Sequence, residues 1–415
     1  MIIRRLPEDF YVEEALTSAT LEGVTQERSK SRPFILFQLQ KTTLTTPEAV
    51  VRLAQTLRIK PNLIESAGLK DKHAVTSQYV SVRADGEPPE EVIAPAIIAK
   101  RIGYLPHHLR AQNILHNRFV IVVRDATIQQ LREMGRRADL LHRDDAGAEA
   151  GVDQNRQGAL AIINYFGEQR FNSARHGEGF IARKLMTGDF EGALKLSIGT
   201  PARKDSGVRR GLTRAAATHW GNWPEALAAA PKSPPRRALE ILATGGSFQD
   251  AFVALPYMEQ QMAVEAYQSH LWNATARRVA LDIAPDETSR LQTTANADDD
   301  TALLFPTAAA CSPYWLSIAL PMFSAQTQLT PPWQSAAEQV LLEEEIKLED
   351  LQIPGIRRPA FGEVARPLIA LATGFDMSRP EPDELSNGGK RFKRTVEFCL
   401  PRGAYATVVL RALGQ

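Results

Sequence analysis

The chain has 415 residues, 44% of them hydrophobic, and 49 Lys and Arg stand against 48 Asp and Glu for a net charge of +1. That length can bury one or two ordinary cores, with two domains favoured, and the charge balance gives no global nucleic-acid signature. Two cysteines, Cys311 and Cys399, exclude a disulfide framework, no Cys/His spacing suits zinc, and a reducing cytoplasm is expected.

The first sixteen residues mix Arg, Glu and Asp and read as no secretory signal. Residues 35–41 alternate Leu and Phe with Gln as a strand does. A helix follows from Pro47, with Thr46 as its cap and Val50, Leu53, Ala54 and Leu57 on one face. Next comes the most informative stretch, Gly68-Leu69-Lys70-Asp71-Lys72-His73-Ala74, a turn that sets one carboxylate between two ammonium groups. Strands are expected at 79–82 and 119–124. From about 164 to 367 the texture becomes Ala-rich and helical, as at 223–230, 236–243 and 257–280. Residues 301–323 are apolar but broken by Pro306, Pro313 and Pro321, so they read as buried loop and core rather than a membrane span. Glu343, Glu344 and Glu345 read as a solvated face of an amphipathic helix over 341–351, and Asp298 to Asp300 and 376–387 as exposed loops. At the end, 395–400 is a strand with Val396, Phe398 and Leu400 on one face, and 404–410 reads as a second strand across the Pro401-Arg402-Gly403 turn. The two ends then share one antiparallel sheet, and the helical middle is an insertion.

Basic residues gather at Arg101, His107, His108, Arg110, His116 and Arg118, at Arg203, Lys204, Arg209, Arg210 and Arg214, and at Lys390, Arg391, Lys393 and Arg394. Each cluster alone is a solvated face; three together favour phosphate contact. Gly245-Gly246 and Gly388-Gly389 are too short for phosphate loops and read as turns.

The Asp71 turn, running on into Thr76-Ser77-Gln78, resembles the signature of the TruD family of tRNA pseudouridine synthases. Pro7-Glu8-Asp9-Phe10 with Val12-Glu13-Glu14, Asn117-Arg118-Phe119, the run from Asn164 through Tyr165-Phe166-Gly167-Glu168-Gln169-Arg170-Phe171, and Leu400-Pro401-Arg402-Gly403-Ala404-Tyr405-Ala406-Thr407 resemble further family elements in order. Ile163, Asn172, His116 and Ala412 depart from the family pattern and bear on loops and RNA preference rather than on Asp71.

The resemblance implies an α+β fold: a pseudouridine-synthase catalytic domain with a mostly antiparallel mixed sheet flanked by helices, at 1–157 and 368–415, and an inserted α-rich TRUD domain at 158–367. It implies isomerisation of a tRNA uridine, usually uridine 13 of the D arm, to pseudouridine. No cofactor, metal or membrane is expected, tRNA is the partner, and the chain is expected to be a monomer. On the residues alone Asp71 reads as a surface charge, Phe10 as a core aromatic and Asn117 as a turn residue. The resemblance instead makes Asp71 the nucleophile or base. Phe10 then lies against the target base, Asn117 near the carboxylate with Phe119 beside it, Arg4 pairs with Asp71, and Lys70 joins the substrate-binding set. Asn164, Gln169 and Arg170 suit sugar-phosphate contacts or lock the start of the insertion, the two readings weighing evenly. Trp272 reads as core. The rival readings are a non-catalytic tRNA-binding or RNA-folding protein on the same scaffold, and a structural protein with basic patches.

Overall fold

The computed structural model describes every residue except 84, 85, 87, 145–157, 169, 172–177, 203, 204, 206, 294–301 and 387–389. Gln169, Asn172, Arg203, Lys204, Asp298 to Asp300 and Gly388-Gly389 therefore lie outside the described residues. The chain divides into two compact units, one of Met1–Ile162 with Ala370–Gln415, the other of Ile163–Ile369.

The first unit is built on β1 (Phe10–Leu16), β2 (Phe34–Thr42), β3 (Ile64–Ser66), β4 (Val75–Arg83), β5 (Glu91–Ala94), β6 (Ile97–Leu105), β7 (Ile114–Ala126), β8 (His142–Arg143) and β9 (Ala159–Ile163). Three helices accompany them, α1 (Ser18–Glu22), α2 (Thr46–Leu57) and α3 (Ile128–Leu141). The second unit carries the helices α4 (Ile181–Met186), α5 (Phe190–Leu194), α6 (Gly207–Thr218), α7 (Trp223–Ala229), α8 (Arg236–Ala243), α9 (Phe248–Val253), α10 (Tyr257–Ile283), α11 (Pro313–Leu316) and α12 (Gln334–Glu343). It adds two small strand pairs, β10 (Arg290–Gln292) with β11 (Leu304–Pro306) and β12 (Ala319–Pro321) with β13 (Ala365–Pro367). The chain then closes with β14 (Ile369–Met377), β15 (Glu381–Pro382), β16 (Phe392–Pro401) and α13 (Ala406–Ala412).

The main sheet runs β5-β6-β2-β4-β1-β7-β16-β14-β9-β8, with β3 added to β4 and β15 to β16. β1 is parallel to β4 and antiparallel to β7, and β2 is antiparallel to both of its neighbours. Both ends of the sequence thus meet in one mixed, mostly antiparallel sheet, with β7 paired to β16 from Phe119↔Phe398 through Asn117↔Leu400. On one face Ile35, Phe37, Leu39, Val80 and Val82 pack under Ala49, Leu53 and Ala54 of α2, all fully buried. Burying such side chains is worth about 1.5–3 kcal/mol each, which fixes α2 over β2 and the later half of β4.

Several sequence expectations are corrected. The cap of α2 is Thr45, not Thr46: its hydroxyl accepts the Glu48 amide and the Glu48 carboxylate reaches back to the Thr45 amide at 2.7 Å, a reciprocal box that leaves Thr46 inside the helix. Residues 404–410 do not form a second strand. β-branched Thr407, Val408 and Val409 favour a strand locally, but α13 forms instead and buries Ala406, Val409, Leu410 and Leu413 at helical spacing, so tertiary packing overrides propensity. The Glu run does not lie on a solvated helix over 341–351: α12 stops at Glu343, and the half-buried Glu344 carboxylate takes hydrogen bonds from Tyr267, His270 and Arg183. Nor is 376–387 all exposed loop. Asp383 is buried and accepts from Arg124 at 2.9 Å and from the Asp125 amide at 2.9 Å.

In the helical unit the 27-residue α10 buries residues around most of its circumference, including Tyr267, Gln268, Leu271, Trp272 and Val279, as a central core helix does. The Trp272 indole donates to the Leu320 carbonyl and the Gln268 amide to those of Phe323 and Gly362, so the face these two share is core. No described helix is long and apolar enough to cross a membrane.

Candidate active site

Asp71 lies in the irregular segment between β3 and β4, just before Val75 of β4 pairs in parallel with Tyr11 of β1. Its carboxylate Oδ2 accepts the Arg4 guanidinium at 2.6 Å, with the two side chains 24% and 27% exposed. The same guanidinium lies 4.1 Å from the Phe10 ring centroid, a cation–π contact, so one planar group is shared between carboxylate and aromatic face. Arg4 has a φ of 66°, the left-handed region, which costs a non-glycine residue about 1–3 kcal/mol. Ile2 offsets this by exchanging both backbone hydrogen bonds with Arg124, each 2.8 Å, and Arg124 in turn is held by Asp9 at 2.7 Å. The segment carrying Arg4 is therefore fastened before and after it.

Below the turn β1 and β7 supply alternating side chains. Positions 10, 12, 14 and 16 of β1 face inward, which places Glu14, 2% exposed, in a buried row beside Phe10. Across the antiparallel pair Glu14 stands opposite Asn117, and Val12 opposite Phe119. Lys70 answers the buried carboxylate: its ammonium meets Glu14 Oε1 at 2.6 Å and donates to Asn117 Oδ1 at 2.6 Å. Glu14 Oε2 accepts the Tyr79 amide at 2.9 Å, where β1 and β4 have ceased to pair. Phe10, Phe119 and Phe398 form a row, the first two rings edge-on at 6.2 Å and the last two stacked at 5.6 Å.

Two further groups hold the turn from beneath. Thr46 Oγ1 accepts the Lys70 amide at 2.9 Å and itself donates to the Gln78 side chain at 3.0 Å. The fully buried Lys41 ammonium donates to the carbonyls of Asp71 at 2.8 Å and Leu44 at 2.7 Å, with that of Lys70 at 3.5 Å. Burial pushes the Lys41 ammonium down to about 8, the Asp71 carboxylate opposes this, Lys70 adds to it and Glu48 opposes it.

The structure thus brings together Arg4, Phe10, Lys70, Asp71, Asn117 and Phe119. Phe10 is 2% exposed, and the guanidinium of Arg4 covers one of its faces. Asn164 and Arg170 belong to the helical unit and are engaged there. The Asn164 amide donates to the Pro367 carbonyl and accepts from Arg366, while Arg170 pairs with Glu265 at 2.5 Å and donates to Ser269. Tyr165, fully buried, donates to the Leu304 carbonyl. These side chains are thus engaged within the helical unit. Within the basic clusters Arg118 pairs with Glu13 and Glu397, Arg209 with Glu259, Arg391 with Asp125 and Lys393 with Glu384.

Sequence reasoning missed the parts played by Glu14, Lys41 and Thr46. A usable signal existed for two of them: alternation puts Glu14 in register with Phe10 and Val12, and Lys41 in register with Ile35, Phe37 and Leu39, so each is a charge on a buried face that requires a partner. Among the described residues no group of three or more His, Cys, Asp or Glu is placed to hold a metal ion.

The chain is 25% identical over 425 residues to a Methanococcus maripaludis protein named "Probable tRNA pseudouridine synthase D 1", covering 99% of this chain and 98% of that one. It is 32% identical to a Methanopyrus kandleri protein named "Probable tRNA pseudouridine synthase D", over 92% of this chain and 85% of that one. The crystal structure of a Methanosarcina mazei chain described as "Putative tRNA pseudouridine synthase D (TruD)" superposes with a TM-score of 0.65 at 22% identity, covering 99% of this chain and 92% of the other, which shows the fold. The family model for tRNA pseudouridine synthase D (TruD) matches residues 1–413, and the chain therefore belongs to that family.

Proposed function

We propose that the chain isomerises a uridine of tRNA, uridine 13 in the D arm, to pseudouridine, with Asp71 as the reacting carboxylate. The observation that carries this is the quarter-exposed Asp71 carboxylate, aimed by Arg4 from a turn that is otherwise fastened by buried groups. The reaction breaks the bond from ribose C1′ to N1 of the base, turns the base and closes a C1′–C5 bond. The proton leaving C5 is balanced by one gained at N1, so no oxidant or external nucleophile enters. Asp71 either attacks C1′ or takes the C2′ proton, and both roles need an ionised carboxylate with an open side. Arg4 orients that carboxylate and stabilises it until the ribose arrives. The target base leaves its stack to reach the site, and the plane of the Arg4 guanidinium, backed by the buried Phe10 ring, offers it a contact. Lys70 and Asn117 border the same space. The inserted domain at 158–367 corresponds in this reading to the helical unit Ile163–Ile369, residues 159–163 being β9 of the main sheet, and the isomerase works as a monomer.

The test uses purified chain and unmodified total tRNA, with pseudouridine mapped at nucleotide resolution. Wild type should convert one D-arm uridine, and Asp71→Asn should convert none while binding tRNA with the same salt dependence. Equal conversion by Asp71→Asn removes Asp71 from the chemistry. Binding by both proteins without conversion by either favours the non-catalytic RNA-binding reading.

A further inference from the structure

A lysine in the interior of a sheet is an expensive choice, and Lys41 is the one lysine among the described residues that is fully buried. It stands on β2 in the inward row of Ile35, Phe37 and Leu39, paired across the sheet with Thr76 and Ile97, where an apolar side chain would serve the core better. Taking an ammonium out of water is costly unless its protons are matched, so packing alone gives no reason for a charge here. What the ammonium does have is an arrangement of acceptors. Its three protons face three carbonyls, two of which belong to Lys70 and Asp71, and no carboxylate forms an ion pair with it within 4.0 Å.

The turn at 68–73 has no strand or helix to satisfy its backbone, so its carbonyls must find other partners. Lys41 supplies them for Lys70 and Asp71, and Thr46 accepts the Lys70 amide. Only the backbone of Asp71 is held this way; its carboxylate faces Arg4. Fixing the main chain beneath a reacting carboxylate sets the direction of its side chain without occupying its oxygens.

We propose that Lys41 is a positioning residue: its buried ammonium clamps the Lys70–Asp71 main chain and so keeps the Asp71 carboxylate aimed when substrate displaces or shares the Arg4 contact. The inference rests on the function proposed above. It also carries a pH dependence. The charged groups facing the ammonium are the Asp71 carboxylate and Lys70 ammonium of the turn and the Glu48 carboxylate of α2, which itself pairs with Lys72 at 3.1 Å. Above about pH 8 Lys41 becomes an amine with two protons for three carbonyls, and the clamp slackens. Global stability moves the opposite way. A lysine titrating lower in the folded state than its usual 10.5 makes the unfolded chain the better proton binder from pH 8 upward, so this group's share of stability rises with pH.

The experiment measures amide hydrogen exchange of the peptide spanning 66–76 together with kcat and KM on tRNA, for wild type, Lys41→Met and Lys41→Arg, at pH 7 and pH 9. Lys41→Met should hold KM within about threefold, lower kcat by about 10²-fold, the loss typical of a misplaced reacting group, and expose the turn amides to faster exchange. Wild type should lose turn protection and turnover between pH 7 and 9 while its global stability does not fall. Lys41→Arg, charged at both values, should keep both and so separate Lys41 from the uridine's own N3–H titration. The proposal is overturned if Lys41→Met keeps kcat within twofold with unchanged exchange, or if wild-type turn protection is the same at both pH values. The second criterion decides the matter even if Lys41→Met does not fold. Exchange needs no turnover, so a loosened turn in Lys41→Met alongside a fully active Asp71→Asn sinks the proposed function and leaves the clamp standing.

Discussion

Replacing Glu14 by Gln keeps the volume of the side chain and removes the carboxylate charge that meets the Lys70 ammonium at 2.6 Å. The two side chains are 1% and 10% exposed, so water cannot stand in for the lost partner. Breaking a buried pair from one side costs about 3–5 kcal/mol. Two features reduce this. Lys70 keeps Asn117 Oδ1 at 2.6 Å, and the new amide oxygen still accepts one hydrogen bond, from Lys70 or from the Tyr79 amide but with less charge behind it. About 2–3 kcal/mol is the expected loss, a large share of the ~5–15 kcal/mol that holds a typical domain together. The reporter must be chosen with care, because Trp220, Trp223, Trp272, Trp315 and Trp333 all lie within 163–369, and tryptophan fluorescence therefore follows the helical unit alone. Hydrogen exchange of β1 and β4 under increasing urea reads the correct unit. A double-mutant cycle with Lys70→Met completes the test: with both charges gone the remaining groups no longer include an unpaired buried ion, so the double variant should be more stable than Glu14→Gln by about 1 kcal/mol or more. A Glu14→Gln loss below about 0.5 kcal/mol, or strictly additive effects, would refute the claim that this pair holds the turn.

Two other outcomes follow from the same geometry. Arg4→Lys keeps the charge but cannot lie flat on Phe10 while meeting Asp71, so kcat should fall by about 10-fold to 100-fold with KM little changed, as single-turnover assays on tRNA would measure; unchanged kcat would mean that the shared planar contact is incidental. Asp383→Asn should lower stability by about 3 kcal/mol at pH 7, since Asp383 is fully buried at its side chain and accepts from Arg124, the Asp125 amide and the Leu385 amide. Burial raises the Asp383 carboxyl and these hydrogen bonds outweigh it, leaving it below the usual carboxylate range. Its contribution is therefore complete above the unfolded value near ~3.9 and disappears as pH falls through the folded value, so the gap between wild type and variant in urea titrations should close in strong acid.

How much of this was legible in the sequence varies with the kind of signal. Strands with one buried face announced themselves through period-two patterns, as 395–400 did with Val396, Phe398 and Leu400 inward. The order of the sheet was not readable, because nothing local tells β1 to lie parallel to β4 and antiparallel to β7. Residues 404–410 misled for the opposite reason: their local preference is real, and it loses to the apolar surface that a terminal helix buries. At the site, the turn and the Arg4, Lys70 and Asn117 neighbours were legible as resemblance, and the geometry assembles them in one unit. What eluded the reading was support. Thr46 reads as a cap because Thr-Pro commonly opens a helix, yet the reciprocal Thr45–Glu48 bonds cap α2 and release Thr46 to hold the Lys70 amide.

The positions where this sequence breaks local rules converge on a single turn. Arg4 adopts a left-handed backbone that suits glycine, Glu14 places a carboxylate in an inward strand row, and Lys41 places an ammonium in another. Any one of these, taken as a fold-level choice, costs stability, and each lies on a different stretch of chain. Their side chains nevertheless end on three different parts of 70–71: Arg4 on the carboxylate of Asp71, Glu14 on the ammonium of Lys70, Lys41 on the main chain between them. Independent packing defects would not share a target. A turn that had only to connect β3 to β4 would be served by solvated polar residues with no buried charge at all. The common target is instead what the proposed function requires, a loop that presents one carboxylate in a fixed direction to a substrate that brings its own charge.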